Sequence, residues 1–134
     1  MIPRAVDIKA AAASRPVLKN RTSETIGLDA DAAFAVLAET ENGGVFVGSY
    51  EGRSAWERHP KGDELVQIVD GQGTLTLVIE GEAVDLDMKA GMVTVVPRDC
   101  WHRIDAPGGV TVMTMTPQPT DYATGDAPPF EMKE

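Results

Sequence analysis

Residues 56–71, WERHPKGDELVQIVDG, decide how this chain is interpreted, because they place Glu57, His59 and Glu64 close together. The chain has two histidines, and the second, His102, ends the stretch GMVTVVPRDCWH. Each histidine follows turn residues and lies beside apolar, strand-like sequence. That arrangement is expected if two neighbouring strands of a β-barrel point side chains at one interior position. The stretch therefore predicts a metal site.

The composition indicates one all-β domain. A chain of 134 residues is large enough to bury its own core. Nine Pro and thirteen Gly lie among short runs rich in Val, Leu, Ile and Thr, which favours strands over helices. The lone Cys100 cannot form an internal disulfide, so nothing indicates an oxidising compartment and a cytoplasmic location is expected.

The charge pattern argues against two classes of partner. The net charge is −9, and the basic residues are dispersed along the chain. Nucleic acid and anionic membrane surfaces are therefore not expected partners. No apolar run approaches the roughly 20 residues that span a bilayer. The N-terminus also lacks the apolar region of a signal peptide, so we expect an unprocessed, soluble protein.

The chain before residue 45 is interpreted as an arm followed by one short helix. Residues 1–20 have little periodicity, which predicts an arm that pairs at a sheet edge or with a second subunit. Asp29 is a suitable N-cap for the sequence DADAAFAVLAET, in which Phe34, Leu37 and Ala38 recur at helical spacing. The Gly-containing residues 41–44 then end the predicted helix.

Residues 45–116 have the pattern of a barrel, with turn residues at 70–73, 80–81, 89–91 and 106–109. This spacing predicts a closed barrel or a double-sheet jelly roll, which both limit exposed strand edges. Residues 117–134 are predicted to form an irregular tail anchored by Tyr122 or Phe130. The predicted strands are residues 45–50, 54–59, 64–69, 74–79, 83–88, 92–96, 101–104 and 110–116.

These residues carry a family resemblance. Glu57-x-His59-x4-Glu64-x6-Gly71 resembles the first cupin motif, G-x5-H-x-H-x3,4-E-x6-G. The series Gly91-x5-Pro97-x4-His102 resembles the second motif, G-x5-P-x-G-x2-H-x3-N. The resemblance covers roughly residues 45–116 and implies a double-stranded β-helix, the jelly-roll barrel of cupins.

Three positions depart from the cupin motifs. Glu57 stands where the first motif has its first histidine, Asp99 replaces the glycine of the second, and Ala106 replaces its asparagine. Asp99 is physically acceptable there, because Asp adopts the left-handed backbone region more readily than most residues. Ala106 alters the least chemical position of the motif.

The resemblance implies a divalent metal ion, because cupins of this kind bind one through three His and one Glu. His59, Glu64 and His102 retain ligand positions, and this donor set suits Fe, Mn, Ni or Zn. Glu57 is either a fourth ligand or a base that contacts substrate. In the alternative interpretation the barrel has no metal, with His59 exposed before Pro60 and His102 in the core.

Two classes of function remain. The first is a metal-dependent enzyme of the dioxygenase, isomerase or lyase type, in which Glu57 or a bound water moves a proton on a small organic substrate. The second is a non-catalytic module that binds a small ligand in the barrel. Arg53 shares the strand parity of Glu57, which predicts contact with an anionic substrate group. A homodimer is also expected, because it would bury Ile2, Val6 and the other apolar residues of the arm against the sheet of a partner subunit.

Overall fold

The computed structural model describes residues 2–129, which form two short helices and one curled sheet of nine strands. The elements in chain order are α1 (Ile8–Ala13), β1 (Leu18–Arg21), α2 (Leu28–Asp31), β2 (Phe34–Thr40), β3 (Gly43–Arg53), β4 (Trp56–Arg58), β5 (Glu64–Ile79), β6 (Glu82–Lys89), β7 (Val93–Val96), β8 (His102–Pro117) and β9 (Asp121–Ala123).

The long strands β5 and β8 organise the sheet. They pair antiparallel over two stretches, from Leu65 opposite Met115 to Leu77 opposite His102. Strand β3 pairs with the other side of β8, and β6 and β7 pair with β5. The sheet curls around a core that includes Val66, Ile68 and Leu75. The predicted all-β jelly-roll fold is confirmed.

Two of the predicted turns are bends inside long strands. Residues 70–73 lie within β5 and residues 106–109 within β8, so four predicted strands are parts of two. Gly71 has φ 79° and Gly109 has φ 96°. A Cβ on Gly71 would overlap the carbonyl oxygen of Gly109, so the two bends meet where only glycine fits. The turn predicted at residues 80–81 does connect β5 to β6.

The helix predicted from Asp29 to Thr40 is wrong over most of its length. Helix α2 ends at Asp31, and β2 begins at Phe34 and pairs with β3. Ala35 and Leu37 are buried while Val36 is 58% exposed, which is the alternation of a strand. The spacing of the apolar residues fits both the period of a helix and the period of a strand, and pairing with β3 selects the strand.

The short N-terminal helix of the fold is α1, within the segment predicted to be an arm. The Asp7 side chain caps it by accepting a hydrogen bond from the Ala10 amide at 3.0 Å. Ala12 packs against Ala35 and Val47 on the outside of the sheet. Strand β1 then pairs parallel with β3, so the arm covers an edge of its own sheet. Association as a homodimer stays a prediction.

The C-terminal tail is more regular than predicted. Strand β9 pairs antiparallel with β4, with Tyr122 opposite Glu57. Phe130, the other predicted anchor, lies outside the described residues. No helix between residues 2 and 129 has the length and apolar character needed to cross a membrane.

Candidate metal centre

The four candidate site residues lie at the ends of three neighbouring strands. Glu57 is in β4 and lies directly opposite His102, the first residue of β8. His59 follows β4, and Glu64 is the first residue of β5. His59, Glu64 and His102 are buried, and the Glu57 side chain is 24% exposed. The sheet therefore brings all four predicted residues together at one end of the barrel.

One oxygen of Glu64 is the centre of the cluster. Its Oε1 atom lies 2.9 Å from Nε2 of His102 and 3.1 Å from Nε2 of His59. The two imidazole rings are 5.2 Å apart between centroids. The second oxygen, Oε2, accepts a hydrogen bond of 2.6 Å from the Thr116 hydroxyl, which fixes the orientation of the carboxylate.

Backbone contact defines the tautomer of His102. Its Nδ1 atom lies 3.0 Å from the carbonyl oxygen of Cys100, and because a carbonyl only accepts, Nδ1 carries the proton. In neutral His102 the lone pair of Nε2 therefore faces Glu64. The carbonyl of Cys100 supports the site, while its thiol donates to the Val78 carbonyl at 3.5 Å.

Thr120 has the same role for His59. The Thr120 hydroxyl donates to Oε1 of Gln118 at 3.3 Å, so its oxygen is left to accept from Nδ1 of His59 at 3.0 Å. The lone pair of His59 Nε2 then points into the barrel. This nitrogen is buried and has no hydrogen-bond partner among residues 2–129. Hydrogen bonds of this kind to the outer nitrogen orient histidines that ligate metals.

Burial and neighbouring charges act in opposite directions on the pKa values of Glu64 and His102. Burial acts to raise the pKa of Glu64, but the adjacent imidazoles of His102 and His59 outweigh it and hold that pKa well below its usual range. Burial lowers the pKa of His102, but the carboxylate of Glu64 outweighs it and raises that pKa above its ordinary value. The pKa of Glu57 is raised, first by burial and then by the charge of Glu64.

The donor atoms fit a divalent metal ion. Two nitrogen lone pairs facing one carboxylate oxygen need a positive centre, which is either a shared proton or a metal ion. Ligands at right angles around a metal with bonds of about 2.1 Å lie about 3 Å apart. The observed separations of 2.9 and 3.1 Å match that value. Metal-ligating atoms of Glu57, His59 and His102 also lie within 4.8 Å of one another.

Glu57 lies between the imidazoles and a buried arginine. Its Oε1 atom is 3.9 Å from Nε2 of His59, and its Oε2 atom is 3.9 Å from a terminal nitrogen of Arg21. Both distances exceed a hydrogen bond but lie within the range of an ion pair. The side chain is close enough to the cluster for either of its predicted roles, ligand or base.

A cavity of about 350 Å³ opens beside the cluster. Its wall includes Arg21, Glu57, Glu64 and His102, together with several apolar and aromatic side chains. The aromatic members are Phe34, Phe46, Tyr50 and Tyr122.

Sequence reasoning missed Arg21 and Thr120. Arg21 lies in the arm and Thr120 in the tail, and neither belongs to a motif. Arg53, which the sequence suggested for an anionic group, forms ion pairs with Asp105 at 3.0 Å and Asp126 at 3.2 Å. The wall of the cavity thus contains Arg21 and Arg103 and not the arginine that was predicted.

Asp99 links the two halves of the motif pattern. Its φ of 64° is the left-handed conformation expected at the glycine position of the second motif. The Asp99 amide donates to the carbonyl oxygen of His59 at 3.2 Å. The loop before His102 is thereby tied to the residue that follows β4. This contact helps to keep the two histidines at a fixed separation.

Residues 47–116 match the family model described as the cupin domain. No curated protein sequence shows a significant match to this chain. A cupin-2 domain containing protein from Shewanella frigidimarina is similar in structure, with 25% identity and a TM-score of 0.50, over 63% of this chain and 79% of that one. The protein NMB1881 from Neisseria meningitidis matches with a TM-score of 0.64 and 14% identity, over 86% of this chain and 100% of that one.

Two hydroquinone 1,2-dioxygenases also share the fold. The enzyme from Sphingomonas sp. TTNP3, with 4-hydroxybenzoate bound, matches with 15% identity and a TM-score of 0.55, over 64% of this chain and 65% of that one. The enzyme PnpCD, in complex with Cd2+ and 4-hydroxybenzonitrile, matches with 16% identity and a TM-score of 0.54, over 63% of each chain. The matched region is thus slightly less than two thirds of either dioxygenase chain.

Proposed function

Because this chain belongs to the cupin family, we propose that it binds one divalent metal ion through His59, Glu64 and His102 and acts on a small organic molecule in the barrel. The observation that carries this proposal is the pair of Nε2 atoms 2.9 and 3.1 Å from Glu64 Oε1, with each Nδ1 committed to another partner. Packing alone gives no reason for that arrangement. Fe, Mn, Ni and Zn all suit two imidazoles and a carboxylate.

The protein's own residues have separate tasks in this scheme. A divalent metal would supply a Lewis acid for an oxygen of the ligand. The hydroxyl groups of Thr116 and Thr120 orient Glu64 and His59. Glu57, at the cavity wall, either completes the ligand set or accepts a proton from the bound molecule.

The class of reaction is a separate question from metal binding. Two structural neighbours are hydroquinone dioxygenases, but likeness at 15% and 16% identity indicates fold and not activity. We therefore propose a metal-dependent dioxygenase, isomerase or lyase. The identity of the metal would narrow the reaction type. Two His and one carboxylate form the donor set of non-haem Fe(II) oxygenases, so bound Fe(II) would favour a dioxygenase.

A second candidate is a metal-free protein that binds a small ligand. It is favoured by the 2.9 Å separation of His102 Nε2 and Glu64 Oε1, which suits an ion pair and raises the pKa of His102. A protonated His102 would form an ion pair with Glu64 and satisfy the carboxylate without any metal. The barrel and its cavity would then serve binding alone.

Elemental analysis separates the two candidates. The protein is purified without chelators, exposed separately to Fe(II), Mn(II), Ni(II) and Zn(II), and analysed beside the variants E64Q and E39Q. Glu39 is an exposed residue of β2, so E39Q removes one carboxylate charge away from the cluster. We expect about one metal per chain in the parent protein and in E39Q, and loss in E64Q. Equal metal content in E64Q and E39Q would rule out the proposed site.

A further inference from the structure

Arg21 is a buried arginine at the end of β1, and the sheet places it in the cavity wall. Its partner across the parallel pair is Gly52, which has φ 112°. A Cβ at Gly52 would overlap the backbone of Arg21, so only glycine allows this close approach. The Arg21 side chain is 5% exposed.

The guanidinium group is only partly paired for such a buried position, although the Tyr50 hydroxyl is within hydrogen-bonding reach of it. It lies over the ring of Tyr50 at 4.3 Å, and the Glu57 carboxylate is 3.9 Å away. Its Nε atom has no hydrogen-bond partner within residues 2–129. An arginine offers five N–H donors, and burying its charge is costly unless those donors are paired. The site therefore favours a further acceptor with negative charge.

Tyr50 does not supply that charge. Burial raises the pKa of Tyr50 far above its ordinary value, although the positive charge of Arg21 opposes the rise. The hydroxyl therefore stays neutral at physiological pH. Glu57 is the acidic group nearest to Arg21, and it is shared with the imidazole cluster.

The charge of the inner cavity points in the same direction. With a divalent metal bound, the ion, Arg21 and Arg103 carry four positive charges, against three negative charges on Asp31, Glu57 and Glu64 in the same wall. A singly charged anion would balance the cavity. A carboxylate suits this position because its two oxygens match the two parallel N–H groups of a guanidinium.

The rest of the wall indicates the body of the ligand. Residues 2–129 contain two Phe and two Tyr, and all four of these side chains line the cavity. Val66, Ile104 and Val112 complete the apolar surface. A volume of about 350 Å³ is at the small end of the roughly 300–1,000 Å³ typical of ligand pockets. Flat, apolar ligands of one ring suit such a wall.

We infer that the cavity takes a small aromatic monocarboxylate, with the carboxylate on Arg21 and the ring among Phe34, Phe46 and Tyr122. This inference deepens the proposed function and rests on it, because the ligand is the molecule on which the metal centre acts. Glu57 then lies between the carboxylate of the ligand and the metal. Arg21 is a specificity-determining residue, since it selects for the charge of the ligand.

Calorimetric titration of the metal-loaded protein tests the inference with benzoate and benzyl alcohol as probes. The two share a ring, and benzoate alone carries the charge. We expect the parent protein to bind benzoate at least tenfold more tightly than benzyl alcohol. A charge-assisted hydrogen bond contributes about 1.5–3 kcal/mol, so R21Q should weaken benzoate binding by roughly 10- to 100-fold and leave benzyl alcohol unchanged. The matched control, R15Q, removes an exposed arginine and should change neither affinity.

The variant R21K guards against misfolding of R21Q, since it keeps the charge and removes only the planar fork. We expect R21K to bind benzoate with intermediate affinity. Metal content measured on the same samples distinguishes failure of the proposed metal centre from failure of the inferred ligand class. Arginine-dependent benzoate binding in a protein that holds no metal would rule out the proposed metal centre but would still support Arg21 as the residue that selects for the charge of the ligand. Equal benzoate affinity in the parent protein and R21Q, or no benzoate binding at all, would overturn the inference.

Discussion

The Thr120 hydroxyl lies 3.0 Å from Nδ1 of His59 and connects the C-terminal segment to the imidazole cluster. His59 belongs to the motif region, whereas Thr120 follows the last long strand of the barrel. The tail therefore sets the orientation of a proposed metal ligand, and its next strand, β9, pairs with β4 beside that ligand.

Replacing Thr120 by valine should weaken metal binding. The variant T120V keeps the shape of the side chain and removes the hydrogen bond to His59. Loss of such an outer contact typically costs 10- to 100-fold in metal affinity, and we expect a change of about tenfold. Competition with a chromophoric chelator measures it. T124V, at an exposed position of the same tail, is the control and should bind as the parent does.

Removing the metal should destabilise the fold. An ion that binds only the folded state, at about a hundred times its dissociation constant, adds roughly 2.7 kcal/mol to the free energy of unfolding. For a domain of this size, that corresponds to a fall in melting temperature of roughly 10 °C on chelation. Differential scanning calorimetry with and without chelator measures the shift. The E64Q variant should show no shift, and an unchanged parent protein would support the metal-free candidate.

Glu57 should respond differently to two substitutions. E57Q keeps the size of the side chain and removes its charge. If Glu57 is a ligand, E57Q should lower metal affinity; if it moves a proton, the variant should keep the metal and lose turnover. E57H restores the histidine of the family motif and should shift metal preference away from Mn. Identical metal content, selectivity and activity in both variants would make Glu57 a bystander.

Asp99 should tolerate glycine and reject valine. Its φ of 64° is a conformation that costs an ordinary residue roughly 1–2 kcal/mol, and a β-branched residue is among the worst choices. We expect D99V to lose about that much stability in urea unfolding. D99G should remain within about 0.5 kcal/mol of the parent, because glycine adopts this φ freely. Equal stability of the two variants would contradict this account.

Acid should release the C-terminal segment. The Arg53 guanidinium, with help from the Ser23 hydroxyl, holds the pKa of Asp126 below its ordinary value of 3.8. When folding lowers the pKa of a carboxyl group, that group stabilises the fold at pH values above its pKa in the unfolded chain. This stabilisation is lost as the pH falls through the pKa of Asp126 in the folded protein. We therefore expect the loss below about pH 4. Carboxyl carbon chemical shifts measure the titration. D126N should show increased amide exchange at residues 121–126 even at pH 6.

The predictable part of the site is the part that carries the two motifs of the family resemblance. Glu57, His59 and Glu64 flank one tight connection between strands, and His102 is fixed by the pairing of β4 with β8. Motif spacing could therefore anticipate that these side chains lie together. The left-handed backbone of Asp99 was also foreseeable from the conformational preferences of Asp.

The remaining features depend on contacts between distant segments. Arg21 reaches the cavity through the pairing of β1 with β3, and Thr120 reaches His59 because the tail returns to β4. Neither segment carries a periodic pattern strong enough to reveal its partner. The wrong helix over Asp29–Thr40 has a related cause, since an alanine-rich stretch fits both periods until a neighbouring strand selects one.

The segment that matches the family model, residues 47–116, supplies the imidazoles but only part of the cavity wall. Arg21, Phe34, Phe46 and Tyr122 all lie outside it. Changes in the flanking segments can therefore alter what this barrel recognises while His59, Glu64 and His102 stay unchanged, as long as Thr120, which orients His59, is kept. Transplanting both flanks onto another barrel of the family is accordingly a route to moving its ligand preference without redesigning its centre.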